Sequence, residues 1–337
     1  MNTRDAYYDN AKFFLIFFVV FGHFIQSYIH DEKWIFSLYT TIYTFHMPAF
    51  ILISGFFAKG FHKKGYLKKI TKKLIVPYLL FQGIYSIYYF FINNASAIEI
   101  DPLYPQWSLW YLMSLFCWNV LLFVFAKWKA SISLILAVAI GVFVGYFDEI
   151  NSYLSLSRTF VFFPFFLLGY FFKKEHFETF RAHKFKITSI VLLAAFFVAI
   201  FFMPEVDYKW LFGSKPYEAL STGHFNGGLI RIGLYGLTLL AVFSFLALVP
   251  RQNYFFTKWG TSSLYVYLLH GFFIKYFRSS ELEGLLNESE QIIVLTFISL
   301  LLIAFLSSTF IRKIAQPLIE LELTFTKKYT INASHDR

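Results

Sequence analysis

The sequence predicts an all-α integral membrane protein, a bundle of about ten transmembrane helices with both termini in the cytoplasm. Three observations predict it. The 337 residues are 58% hydrophobic and only 15% charged, where soluble domains carry about 25% charged residues. Apolar runs long enough to cross a bilayer recur along the chain, rich in its 47 Phe. The basic residues cluster in alternate gaps between those runs, as cytoplasmic loops do. A net charge of +10 would also suit nucleic acid. Short clusters between spans fit membrane topology better, so the expected surroundings are membrane lipids and no nucleic acid.

The spans read, in order, as 11–29, 40–58, 74–93, 108–126, 131–147, 159–172, 187–203, 229–249, 260–277 and 291–311. The first lacks a small-residue cleavage site and holds a histidine, which a signal-peptide core would not. A run of lysines from Lys59 to Lys73 separates the second from the third. Trp107 and Trp110 open the fourth at the level of an aromatic belt. The fifth and sixth are near the minimum span, and the sixth contains Pro164. The longest polar insert, near 204–228, precedes the eighth, and Arg251 and Lys258 precede the ninth. With the N-terminus inside, 23 of the 30 Lys and Arg fall on the inner side. Of the 20 acids, 13 fall outside, including Glu281, Glu283, Glu288 and Glu290. An odd helix count would place the basic tail from Arg312 outside. The one cysteine, Cys117, permits neither an intrachain disulfide nor a CxxC metal site. Without an interdomain linker or repeat, residues 1–337 are expected to form a single membrane-embedded domain with no appended soluble domain, in the cell membrane.

The chemistry concentrates in the first span. Ten residues separate Lys12 from His23, eleven helical steps that return to nearly the same face ~16 Å further along the axis. Asp9, Ile16, Val19, Gln26 and His30 lie on or near that stripe. Polar groups inside a span are costly, so such a stripe marks function by default. Lys12 at the inner mouth suits an anionic group, and an imidazole further in suits proton transfer or nucleophilic attack. The plainer readings are a snorkelling anchor for Lys12 and interhelical glue for His23. Asp9 reads as a helix cap or as the group that positions Lys12. His46, in the second span, lies at a depth similar to His23 and is a candidate to face it. Pro48 would free a carbonyl nearby, and Ser54 and Gly55 allow close packing. Lys69, Lys72 and Lys73 share a helical face where a phosphorylated cytosolic cofactor would dock beside Lys12. Lipid attraction is their plainer reading. Trp107 and Trp110 form a belt or a stacking platform for a sugar. Arg158 reads as a rim charge, His224 as an outer-loop residue, and His270 as glue or site. No histidine pair has metal-ligand spacing and no acid lies within a span, so no metal is expected.

Five motifs, in order and at the right helix ends, resemble the acyltransferase family 3 membrane proteins, particularly single-domain members of the fucose-O-acetylase-like kind. They are DNxK followed by His after ten residues (Asp9–His23), FHMPxFxxxSGFF (Phe45–Phe57), the basic run before LIVPY (Lys69–Tyr78), LWYL (Leu109–Leu112) and SLYVYLLH (Ser263–His270). The family's second basic motif is usually Arg-x-x-Arg. Here it would be Lys69-x-x-Lys72, and lysine lacks the bidentate fork of arginine.

The resemblance implies a membrane-bound O-acyltransferase that takes an acyl group, usually acetyl from cytosolic acetyl-CoA, to a hydroxyl of a cell-envelope carbohydrate or lipid-linked sugar. It would thus act in polysaccharide O-acetylation. Lys12, Lys69, Lys72 and Lys73 would hold the CoA phosphates, with the pantetheine arm running along the first span to His23. His23 would be general base or acyl carrier, with His46 or His270 orienting it or stabilising the oxyanion. The rival is a transporter or flippase for an envelope precursor, with His23 and His46 relaying protons. It calls for broken helices in paired halves, hinted at by Pro48 and Pro164. A non-catalytic anchor for a polymer-synthesis complex would leave the Lys12–His23 stripe without a purpose.

Overall fold

The computed structural model describes residues 4–94, 96–180, 183–203, 207–220, 224–285 and 291–321. Arg181, Glu288, Glu290 and the cations beyond Leu321, all counted above, lie outside them, as do the side chains of Lys184 and His224. The described residues form helices and connecting segments, without a strand. The α-helices are α1 (Ala6–Ile25), α2 (Lys33–Phe57), α3 (Tyr66–Ile70), α4 (Val76–Ile92), α5 (Trp110–Phe125), α6 (Ala130–Phe143), α7 (Leu156–Phe171), α8 (Lys174–Phe180), α9 (His183–Phe202), α10 (His224–Leu248), α11 (Thr257–Gly260), α12 (Ser263–Ser279), α13 (Gln291–Leu306) and α14 (Thr309–Ile319).

A helix stands at each of the ten segments named above. Among the described residues, seven are long and apolar enough to cross a membrane: Ala6–Tyr28, Lys33–Phe57, Tyr66–Ile92, Trp107–Phe125, Tyr153–Phe171, Phe185–Phe202 and Asn226–Leu248. The other three are shorter. α6 extends only to Tyr146, α12 has 17 residues, and α13 has 16 and bends 67° into α14. Phe91, Ile135, Phe202 and Leu301 stay exposed on the bundle surface, where lipid would take the place of a protein partner.

Two features set the site's frame. α2 and α7 cross at backbone contact. A Cβ on Gly55 would stand 1.9 Å from the Phe166 carbonyl oxygen, and one on Gly169 would stand 1.9 Å from that of Leu52. Small residues let spanning helices approach this way, so the reading of Gly55 as a packing residue matches the crossing. Pro48 and Pro164 sit inside α2 and α7, and both helices run through them unbroken. The second feature is at the start of α1. Asp5 accepts from the Tyr7 N–H and is the N-cap, so Asp9 is not the cap. Asp9 is buried and serves instead as an ion partner.

Candidate active site

The polar stripe of α1 becomes a wall. Ile16 and Val19 line one cavity of about 150 Å³ with Phe50, Ser54, Tyr111 and Ser263. Val19, His23 and Gln26 line a second of about 200 Å³ with Tyr43, His46, Trp110 and Arg158. Val19, Met47 and Tyr267 belong to both walls, so the two spaces adjoin along α1 from Ile16 to His23. The first is apolar apart from its hydroxyls. The second collects the polar groups.

His23 is half-buried near the end of α1. Its Nδ1 lies 3.4 Å from the Tyr43 hydroxyl, and its ring stacks on His270 at 5.6 Å and lies 4.4 Å from Trp107. An Arg278 Nη2 donates to the His23 carbonyl and, at 2.9 Å, to Gln26 Oε1. That carbonyl is one of the last in α1, which a helix leaves without an internal partner. Gly22 makes room for the arrangement, since a Cβ there would stand 2.9 Å from the Tyr43 ring.

His46 is buried on α2, with Nδ1 2.9 Å from the Ile42 carbonyl. A carbonyl only accepts, so in the neutral ring Nδ1 carries the hydrogen and Nε2 keeps its lone pair. Tyr43 packs edge-on against the His46 ring at 4.5 Å. His46 and His23 line the same cavity and Tyr43 contacts both, while the ring stacked on His23 is that of His270. His270 is fully buried on α12 and is not part of the cavity wall. Its Nδ1 lies 2.7 Å from the Tyr267 carbonyl and 3.0 Å from that of Val266. Its Nε2 has no hydrogen-bond partner among the described residues.

Trp107 packs against both rings, at 4.4 Å from His23 and 5.2 Å from His270. Its φ of 39° is in the left-handed region, which costs a bulky residue roughly 1–3 kcal/mol. Gly271 permits the placement, because a Cβ there would stand 2.6 Å from Trp107 and 2.3 Å from the Tyr85 hydroxyl.

Lys12 sits at the other end of α1. Its Nζ lies 2.8 Å from Asp9 Oδ1, and Arg4 takes the other carboxylate oxygen at 2.5 Å. Arg4, Lys12 and Lys174 line a third cavity of about 530 Å³ with Tyr8, Phe56, Phe57 and the carboxylates of Asp5 and Asp9, three cations against two acids. Lys69, Lys72 and Lys73 are exposed on α3 and the π-helical turn Thr71–Ile75, outside that wall. None of the three makes an ion pair or side-chain hydrogen bond with a described residue. The structure brings His23, His46 and His270 into one region, and the lysine trio stands outside the cavity wall that Lys12 lines. The π turn widens the helix exactly where regular spacing was assumed.

The family model of the acyltransferase domain matches residues 5–313. The chain belongs to acyltransferase family 3. It is 28% identical over 204 residues to nodulation protein NolL of Sinorhizobium fredii, covering 54% of this chain and 53% of that protein. It is also 42% identical over 62 residues to the Mesorhizobium japonicum protein of the same name, 18% of this chain and 17% of that one. The chain thus spans about half the length, at most, of the curated relatives it matches. No solved structure matches it.

Several residues of this acyltransferase-family site escaped the sequence reading. Tyr43 and Tyr267 were two among 23 tyrosines. Tyr267 donates to the Ser108 carbonyl, tying α12 to the turn that carries Trp107. Arg158, read as a rim charge, stands in the cavity wall over Trp110, 5.0 Å from its ring. Lys275 lies 5.6 Å from the Trp107 ring. The available signal was two cations, Lys275 and Arg278, within eight residues of His270 in an apolar run. Among the described residues no group of three His, Cys, Asp or Glu is placed to hold a metal ion.

Proposed function

We propose that the protein is a membrane-bound O-acyltransferase that moves an acyl group, acetyl in the simplest case, from cytosolic acyl-CoA to a hydroxyl of a cell-envelope carbohydrate. In this reading ten helices span the cell membrane with both termini in the cytoplasm. The observation that carries it, beside family membership, is the pair of adjoining cavities along α1. The apolar one begins at Ile16, one helical turn past Lys12, and the polar one holds His23 and His46.

The donor's phosphates would rest at the Lys12 end, on Lys12 with Arg4 and Lys174, whose cavity also offers aromatic rings. Lys69, Lys72 and Lys73 would contribute long-range attraction. The pantetheine arm would follow Ile16 and Val19, bringing the thioester carbonyl to His23. There His23 would take the proton of the acceptor hydroxyl as its oxygen attacks that carbonyl. The carbon–sulfur bond then breaks, and the proton passes to the departing thiolate. The Tyr43 hydroxyl would hold the His23 ring at Nδ1. His46 would orient the acceptor through Nε2, and His270 would buttress the His23 ring from behind. General-base catalysis of this kind is worth about 10²–10⁴ in rate.

The test is acetyl-CoA consumption by the purified protein in lipid nanodiscs, followed by release of free thiol, with His23→Ala and Lys12→Ala alongside. Wild type should release thiol; His23→Ala should lose most of it at any acetyl-CoA concentration, and Lys12→Ala should lose most of it at concentrations below KM. Undiminished activity in both would overturn the assignment. Mass spectrometry of envelope glycans from cells with and without the protein would then identify the acetylated polymer.

A further inference from the structure

We propose that the acceptor is an anionic glycan, one whose carboxylate or phosphate oxygens are gripped by Arg158 while a neighbouring hydroxyl faces His23. This rests on the reading that the His23 cavity receives the acceptor.

Arg158 lines the same cavity as His23 and His46. Its guanidinium lies over the Trp110 ring at 5.0 Å, and its Nε donates to the Phe212 carbonyl at 3.3 Å. Those two contacts fix the plane of the group. They leave both Nη nitrogens without a hydrogen-bond partner among the described residues. A guanidinium fixed through Nε presents the two-pronged donor face that matches carboxylate and phosphate oxygens. Arg231 shows the contrasting case. It is buried against Trp210, and its Nη1 donates to the Trp210 carbonyl at 3.0 Å, so it braces a turn.

The surroundings share one sign. The wall of the cavity contains no carboxylate. Just behind it, Lys275 packs against Trp107 and Arg278 donates to Gln26, and neither forms an ion pair with a described residue. Cations in a low-dielectric interior without counter-charges are costly to keep. A neutral sugar would bind there without offsetting any of that cost. An anionic one would complete the hydrogen bonding of Arg158 and neutralise part of the field. Two sources supply such an anion: the carboxylate of a uronic acid, or the phosphate that links a sugar to a carrier or to the next unit.

Binding tests this without any acyl chemistry. The purified protein in zwitterionic nanodiscs is titrated with glucose, glucuronic acid and glucose 1-phosphate, following tryptophan fluorescence. At least one anionic sugar should bind about tenfold or more tighter than glucose, and Arg158→Gln should abolish the difference. Preference for glucuronic acid identifies the carboxylate source, and preference for glucose 1-phosphate identifies the phosphate source. Arg158→Lys, which keeps the charge and loses the fork, should retain a smaller preference, and guards against a misfolded glutamine variant. Equal affinities, no binding of either anion, or an undiminished preference in Arg158→Gln would overturn the proposal. Since acetyl-CoA is absent, failure here is distinct from failure of the thiol-release assay.

Discussion

Lys12 and Arg158 are cations in the walls of two separate cavities, one at each end of the first helix's polar stripe, and their surroundings differ. Lys12 is held by the Asp9 carboxylate, which Arg4 shares. The lysines of α3 and the π turn are exposed. Charge at that end is therefore paired or solvated, and inexpensive. At the histidine end, Arg158, Lys275 and Arg278 meet aromatic rings, carbonyls and an amide, and no carboxylate among the described residues. The contrast teaches that charge counting finds where cations are many, while the cations that shape a site are the few whose counter-charge is missing.

If the histidine end does the chemistry, the largest effect belongs to His23. We expect His23→Ala to lower kcat for acyl transfer by about 10²–10⁴-fold, the range for loss of a general base. Because His23 is half-buried and opens onto a cavity, the melting temperature should fall little. Single-turnover kinetics with acetyl-CoA and a parallel melting curve measure both. A large loss of stability with little loss of activity per folded molecule would reverse the contrast between the two ends.

The next effect probes how His23 is held. In Gly271→Ala the new methyl meets Trp107 and Tyr85, and overpacking of this kind costs about 1–3 kcal/mol. Trp107 must shift, and it contacts both His23 and His270. The expected result is a lower melting temperature together with a kcat reduced about tenfold or more in the folded fraction, an order of magnitude that corresponds to 1.4 kcal/mol of barrier. Arg278→Ala acts from the other side by freeing the His23 carbonyl and Gln26. Its kcat should fall several-fold to about tenfold with KM for acetyl-CoA unchanged, and Arg278→Lys should restore part of it. A change confined to KM would move Arg278 from positioning His23 to binding the donor.

The helices were legible because bilayer thickness imposes a length and a composition that survive in one dimension. The α1 stripe was legible for the same reason, since 3.6-residue periodicity alone put Ile16, Val19, His23 and Gln26 on one face. Partnerships between helices were not. Nothing along the chain says that His23 stacks on His270, 247 positions away, or that Tyr43 lies beside both His23 and His46. Of the two readings of Asp9, cap or partner of Lys12, only the backbone geometry that makes Asp5 the cap and the Asp9–Lys12 ion pair decide for the second. The spacing of Lys69, Lys72 and Lys73 was read as a regular helix, and the π turn at Thr71–Ile75 alters it.

The smallest effects on turnover are expected at the Lys12 end, and they sharpen the comparison most. Lys12→Gln removes one cation but leaves Arg4 and Lys174 in the same wall and Asp9 still paired by Arg4. Its loss should raise KM for acetyl-CoA about tenfold, near 1.4 kcal/mol, and leave kcat nearly unchanged, the signature of uniform binding. Lys72→Gln should raise KM only about twofold, because an exposed charge acts through solvent and is screened within ~8 Å at physiological salt. Raising the salt concentration should therefore erase the Lys72 effect and preserve most of the Lys12 effect. Equal effects at the two positions, equally sensitive to salt, would place the donor's phosphates on the exposed lysine run, and α1 would no longer connect donor to chemistry.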